Sequence, residues 1–214
     1  MKSPANTLDM LLKELILQTD GKLDDDSVEL LSMCTETVAR MKNLVEYVLD
    51  YTRVIAMETE KTVVSLSEVA ARALKNLRTD IADSGAEIQI DPLPDVIAVQ
   101  AQMDILMQNL ISNAIKYCPK ERRAQVRVHS EISPEKGTFK VTVTDNGMGI
   151  LAENQDRIFK LFQRLHGHSE IPGTGIGLPM CKRIAVNHSG SIELVSSMEN
   201  GSAFSLCLPT EALA

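Results

Sequence analysis

The chain has 214 residues, room for one large domain or two small ones. Its 44% hydrophobic and 24% charged residues suffice for an ordinary apolar core. A net charge of −7 argues against a nucleic-acid partner, whose footprint should be basic, and with no Trp, three Tyr and four Phe no base-stacking platform is expected. No apolar run approaches the roughly 20 residues that cross a bilayer, and the start has no secretory leader pattern. The four cysteines are scattered without a CxxC pair, so reduced thiols in a cytoplasmic protein are expected.

In chain order, residues 5–19 place Leu8, Leu11, Leu12, Leu15 and Ile16 at helical spacing. A break at 19–22 follows. Asp26-Ser27-Val28-Glu29 reads as a capping box opening a long helix over 27–56. Leu31, Val38 and Val45 recur every seven residues, as do Cys34, Met41 and Val48, a heptad seam of about three heptads. A two-helix hairpin cannot bury both seams alone, so a homodimeric four-helix bundle through residues 1–56 is expected. Residues 57–62 are polar and read as a hinge between a 1–60 domain and a 61–214 domain.

The second domain opens with a helix capped by Ser65 or Ser67 and stopped by Gly85. Short strands are expected at 87–90 and 96–99. A helix from Gln100 to Tyr117 buries Ile105, Leu106, Leu110, Ile111 and Ile115. Asn109 and Asn113, four apart, share one face of it, and two mid-helix asparagines need a reason. Lys116 and Tyr117 lie about one turn further on. Two amides, an ammonium and a phenol ring suit a phosphate, its metal ion and a flat ring. Two hairpins follow, 124–130 with 138–144 and 191–196 with 202–208, separated by a helix over 176–186. Helices and antiparallel strands in this order imply a two-layer α+β sandwich rather than a Rossmann alternation.

Two glycine clusters carry the chemistry. Asp145-Asn146-Gly147-Met148-Gly149 follows a strand directly, and an ionised Asp there is an acceptor suited to an exocyclic amine. Ile171-Pro172-Gly173-Thr174-Gly175-Ile176-Gly177-Leu178 opens into a helix whose first N–H groups form an anion site. It is neither a Walker loop nor a dinucleotide fingerprint. Between them, Phe159, Phe162 and the polar stretch 163–169 look like a lid, from which Arg164 could reach phosphate oxygens. His166 and His168 lack a ligand-spaced partner and read as solvated loop residues.

These elements, in this order, resemble the ATP-binding domain of sensor histidine kinases. Residues 109–117 look like the N box, 145–149 the G1 box, 159–162 the F box and 173–177 the G2 box. The helical hairpin resembles the family's dimerisation and phosphotransfer domain, so the likeness spans nearly the whole chain. The short lid and the run from Pro172 to Leu178 are similar to phytochrome-like kinases. The resemblance implies ATP and Mg²⁺ as cofactors and a response-regulator receiver domain as partner. It implies Asn113 as the Mg²⁺ ligand with Asn109 beside it, Lys116 on phosphate, Tyr117 flanking the nucleotide and Asp145 reading the adenine amine. Gly147, Gly149, Ile150, Phe162, Arg164, Leu165, Gly173, Thr174, Gly175, Ile176, Gly177 and Leu178 complete the expected nucleotide site. Related ATPases of the gyrase and chaperone type carry Glu where Asn109 stands. An amide is no general base, so phosphoryl transfer is expected over hydrolysis.

Two departures stand out. The family acceptor motif runs His-[Asp/Glu]-Leu-[Arg/Lys]-x-Pro, and Met1-Lys2-Ser3-Pro4 matches only its tail. The four histidines, His129, His166, His168 and His188, lie outside the hairpin. A chain cut just after the acceptor is therefore expected to bind ATP without autophosphorylating. The alternative is a non-catalytic module that binds a response regulator. Ala203 stands where the family usually has a Thr that helps hold the adenine-reading Asp, a loss of about 1 kcal/mol.

Overall fold

In the computed structural model the described residues are 4–19, 23–56, 60–133, 137–161, 163, 175–197 and 201–214. They divide into two compact units, Met1–Ala56 and Met57–Ala214. In the first, α1 (Pro4–Thr19) and α2 (Asp25–Ala56) pack on each other. The cap of α2 lies two residues earlier than the sequence suggests. The Asp24 carboxylate accepts from the Ser27 N–H at 2.9 Å, satisfying a free donor of the first turn. Hydrogen bonding from the Ser27 side chain, with that backbone bond, holds the Asp24 carboxyl below its usual range. The seam is used unevenly. Val38 is buried and Leu31 half-buried, while Cys34, Met41 and Val45 are exposed in the single chain.

The second unit begins with a strand, β1 (Thr62–Ser65), where the sequence suggested the end of a hinge. Val63 and Val64 suit an extended backbone, and β1 pairs antiparallel with β3 (Asp95–Ala98). The expected helix after it is two: α3 (Leu66–Asn76) and α4 (Arg78–Ser84), divided at Leu77. Neither serine caps it by its side chain. The Ser67 hydroxyl instead exchanges hydrogen bonds with the Leu93 backbone at 3.2 Å. Gly85, at φ 63°, ends α4 as expected.

The main sheet has the order β2–β4–β5–β7–β6, from β2 (Glu87–Ile90), β4 (Gln125–Ser133), β5 (Thr138–Asp145), β6 (Ser191–Ser197) and β7 (Gly201–Pro209). Only β2 and β4 run parallel. The alternation of β5 and β7 explains the layering. Phe139, Val141 and Val143 lie opposite Leu208, Leu206 and Phe204, and all six are buried. Helices α5 (Gln100–Lys116) and α6 (Gly177–Asn187) contact this sheet and bury Met103, Leu106, Leu110, Ile111, Met180 and Ile184. Each such side chain contributes about 1.5–3 kcal/mol. The alternate residues carry cross-strand polar contacts: Lys140 with Glu193 at 2.5 Å and Thr142 with Ser205 at 2.8 Å. One apolar and one polar face make the unit a two-layer α+β arrangement.

Candidate functional site

Helix α5 is almost wholly buried along Met103, Leu106, Met107, Leu110, Ile111 and Ala114, which leaves Asn109 and Asn113 half-buried beside that core. The Asn109 amide donates back to the Ile105 carbonyl at 2.9 Å. Its Oδ1 is therefore the atom it presents outward. Gly177, the first residue of α6, lies against that oxygen: a Cβ on Gly177 would stand 2.7 Å from it. A larger residue there would have to push the Asn109 amide aside. Asn113 differs, since among the described residues its amide has no protein partner. Lys116, in the last turn, holds its ammonium 5.0 Å from the centre of the Tyr117 ring.

The 145–149 turn meets the other end of α5. The Met148 N–H donates to the Tyr117 carbonyl at 3.1 Å. A Cβ on Gly147 would lie 2.8 Å from both that carbonyl oxygen and Asp145 Oδ1. Asp145 ends β5 and is buried. Its Oδ1 accepts from Gly147 N–H at 2.8 Å and from Ser202 N–H at 3.1 Å. Among the described residues no hydrogen bond reaches Oδ2, the oxygen left for a ligand. Burial pushes the Asp145 carboxyl above its usual range, and the two backbone donors oppose that shift.

Helix α6 supplies the third side. Ile176 is buried, Gly175, Gly177 and Leu178 are half-buried, and Pro179 sits in the first turn, where a missing N–H costs little. Gly175 has φ 71°, the left-handed region open to glycine. The short helix Arg157–Phe159 packs on α6, with the Lys182 ammonium 5.7 Å from the centre of the Phe159 ring. Gly149 and Ile150 are half-buried where the 145–149 turn exits.

The structure thus brings Asn109 to Gly177, and Tyr117 to Asp145, Gly147 and Met148. Phe162, Arg164, Leu165, Gly173 and Thr174, with His166 and His168, lie outside the described residues. The role expected for position 203 is overturned. Ala203 lies opposite Thr144 and Val195 in the sheet, and the residue that holds Asp145 is Ser202, through its backbone N–H. A missing hydroxyl at 203 therefore removes nothing from Asp145. Gly201 was also unforeseen: a Cβ there would run into the Asp145 carbonyl. The strand that follows was legible, but its register against β5 was not.

A cavity of about 550 Å³ opens along β2, β4 and the end of β5, lined by Gln89, Gln125, Arg127 and Thr144 and reaching Asp145 and Asn146 of the glycine turn. It meets the site only at that turn, since no residue of α5 or α6 lines it. Among the described residues no helix is long and apolar enough to cross a membrane, and all four cysteines are free thiols.

Residues 98–212 match the family described as "Histidine kinase-, DNA gyrase B-, and HSP90-like ATPase". Over 212 residues the chain is 38% identical to cyanobacterial phytochrome A of Nostoc sp., covering 98% of this chain and 27% of that protein. The chain thus spans about a quarter of that relative's length. Among solved structures it is similar in fold to full-length ShkA in complex with AMPPNP, with a TM-score of 0.69, 21% identity and coverage of 98% of this chain and 44% of the other. It is also similar in fold to histidine kinase ThkA in complex with the response regulator protein TrrA, with a TM-score of 0.65, 21% identity and coverage of 96% and 58%.

Proposed function

The chain belongs to the histidine kinase-, DNA gyrase B- and HSP90-like ATPases, within the sensor histidine kinases, and from that premise we propose that it is the catalytic core of a two-component kinase. Residues 61–214 bind ATP, and residues 1–60 form the dimerisation and phosphotransfer hairpin. The parent reaction moves the γ-phosphoryl group of ATP to a histidine nitrogen and then to an Asp of a response regulator. One observation carries this reading. Asn109 meets the glycine start of α6, and the far end of the same helix meets the 145–149 turn, so a single buried helix is flanked by both glycine elements.

In this reading Asp145 Oδ2 accepts the adenine amine, and Tyr117 lies beside the base. Leu178 and Gly177 offer N–H groups of the first turn of α6 to phosphate. Lys116 places a cation at the end of α5. Asn109 cannot abstract a proton, so its work is to shape and orient. Catalysis of this kind rests on positioning and charge stabilisation. Magnesium, when bound with the nucleotide, would neutralise phosphate charge. The residues fit that ion: Asn113 has an uncommitted amide oxygen, and the described residues hold no cluster of three His, Cys, Asp or Glu. This suits an ion bound by one protein oxygen and substrate phosphates. Phe162, Arg164, Leu165, Gly173 and Thr174 are proposed as the lid and its anion contacts. The exposed Cys34, Met41 and Val45 of α2 support a homodimer. The ThkA–TrrA complex supports a receiver domain as partner.

A second reading has one observation in its favour: no histidine lies within residues 1–56. It makes the chain a nucleotide-binding module that engages a regulator without labelling itself. Radiolabelled ATP separates the two. The 214-residue chain should bind ATP and stay unlabelled. A chain extended upstream by a helical segment ending in His-Asp or His-Glu should become labelled. An extended chain that binds ATP and takes no label supports the second reading. Steady phosphate release, abolished by Asn109→Ala, would instead make the chain a hydrolytic switch.

A further inference from the structure

The loop between α5 and β4, residues 118–124, makes contacts that the nucleotide reading does not use. Arg122 is exposed, yet among the described residues it forms no ion pair. Its guanidinium Nη1 donates to the Asn146 carbonyl at 2.6 Å and to the Gly147 carbonyl at 3.5 Å. Neighbouring Arg123 behaves otherwise, pairing with Glu87 at 2.5 Å and donating to the Gly85 carbonyl at 2.6 Å. Asn146 closes the same clamp from the other side. Its Nδ2 donates to the Arg123 carbonyl at 2.9 Å, and its Oδ1 accepts from Gln125 N–H at 2.9 Å. An amide is needed there, since a carboxylate could not donate to Arg123. The Cys118 thiol adds a donor to the Arg122 carbonyl at 3.4 Å.

These bonds fix the turn that carries Asp145. Gly147 N–H donates to Asp145 Oδ1 and Met148 N–H to the Tyr117 carbonyl, the Asn146 carbonyl accepts from Arg122, and the Asn146 side chain bonds both sides of the β4 entrance. The position of Gly147 decides which way Asp145 Oδ1 is held, and hence where Oδ2 points. We propose that Arg122 is a positioning residue for adenine recognition, holding the 145–149 turn against the end of α5 so that Asp145 Oδ2 meets the base amine. This rests on the nucleotide reading above. Arg122 touches no ligand; it acts through Asp145.

The test compares ATP with inosine triphosphate, which carries an oxygen where adenine carries its amine, on the 214-residue chain with Mg²⁺. Wild type should prefer ATP, and Asp145→Asn should abolish that preference. Arg122→Ala should weaken ATP binding by about tenfold, the equivalent of one charge-assisted hydrogen bond, with little change for inosine triphosphate. Arg122→Lys, which keeps a cation on the same carbonyls, should restore much of the preference. Should Arg122→Ala melt lower, the ratio still decides, because the folded fraction cancels between the two nucleotides. If Arg122→Ala weakens both nucleotides equally, or neither, while Asp145→Asn removes the preference, the positioning role is wrong and the nucleotide site stands. If Asp145→Asn itself leaves the preference intact, the nucleotide reading falls and the role of Arg122 falls with it.

Discussion

Asp145 is held at a cost. Burial disfavours its charge, and two backbone donors on one oxygen offset only part of that. Its carboxyl is raised above the unfolded value, so protonation favours the fold, and this group's contribution to stability declines as pH rises through the raised value. At neutral pH the charge does not serve the fold, and the proposed nucleotide reading gives it a use. Asp145→Asn keeps an oxygen for Gly147 and Ser202 and removes the charge. It should weaken ATP binding by at least about tenfold while melting no lower than wild type at pH 7. Calorimetry with titration reads both; unchanged affinity would remove Asp145 from the site. Gly177 makes a complementary prediction. Ala there meets Asn109 Oδ1 at 2.7 Å, so Gly177→Ala should cost about 1–3 kcal/mol of stability and weaken nucleotide binding with it. A neutral result in denaturant titration would mean that α5 and α6 are not so closely set.

Between elements, His188 is the joint of α5 and α6. It is buried at the end of α6, where its Nδ1 meets the Ile184 carbonyl at 2.8 Å and its Nε2 accepts the Val99 N–H, just before α5, at 3.0 Å. That pair of bonds requires the neutral ring with its proton on Nδ1. Burial depresses its pKa, the Ile184 bond partly opposes this, and the Lys61 charge depresses it further. The unfolded chain therefore binds a proton at a pH where the folded chain does not. This contribution is present above the unfolded value of about 6.5 and is lost as pH falls toward the depressed folded value. Urea midpoints should drop as pH falls below about 6.5 in wild type, and less steeply in His188→Gln. Equal slopes would contradict this. The element scale also shows what the sequence could carry. Strong periodicity located α5, α6 and both hairpins within a residue or two, except that β4 runs three residues past its expected end. Strand β1 was missed because four residues next to a polar stretch have no period to read. The break at Leu77 was missed because it needs no Gly or Pro. The tight turn at Asp145 and Gly147 and the close approach at Gly177 were legible because glycine and acid types are rare in such an order. Ser202 acts through its backbone N–H, set by strand register, and Asn146 and Arg122 through side-chain bonds to backbone groups distant in sequence, which no local pattern announces.

For the whole molecule, the two units answer to different physics. The α+β unit closes its own core between sheet and helices. The α1–α2 unit leaves Leu8, Leu11, Leu15, Ile16, Met41 and Val45 exposed, more apolar surface than a lone hairpin should show. Pairing of two copies would cover it. Met41→Glu with Val45→Glu should convert a dimer to a monomer in sedimentation without changing ATP affinity. A wild-type chain that sediments as a monomer at high micromolar concentration would end the dimer proposal.

The central claim is that a nucleotide lies across α5 between the 145–149 turn and the start of α6. A crystal grown with a non-hydrolysable ATP analogue and Mg²⁺ tests it most directly. The account predicts adenine within hydrogen-bond distance of Asp145 Oδ2 and phosphates beside Gly177 and Leu178. Density for the analogue along β2 and β4 instead, with the α5 face empty, would contradict it.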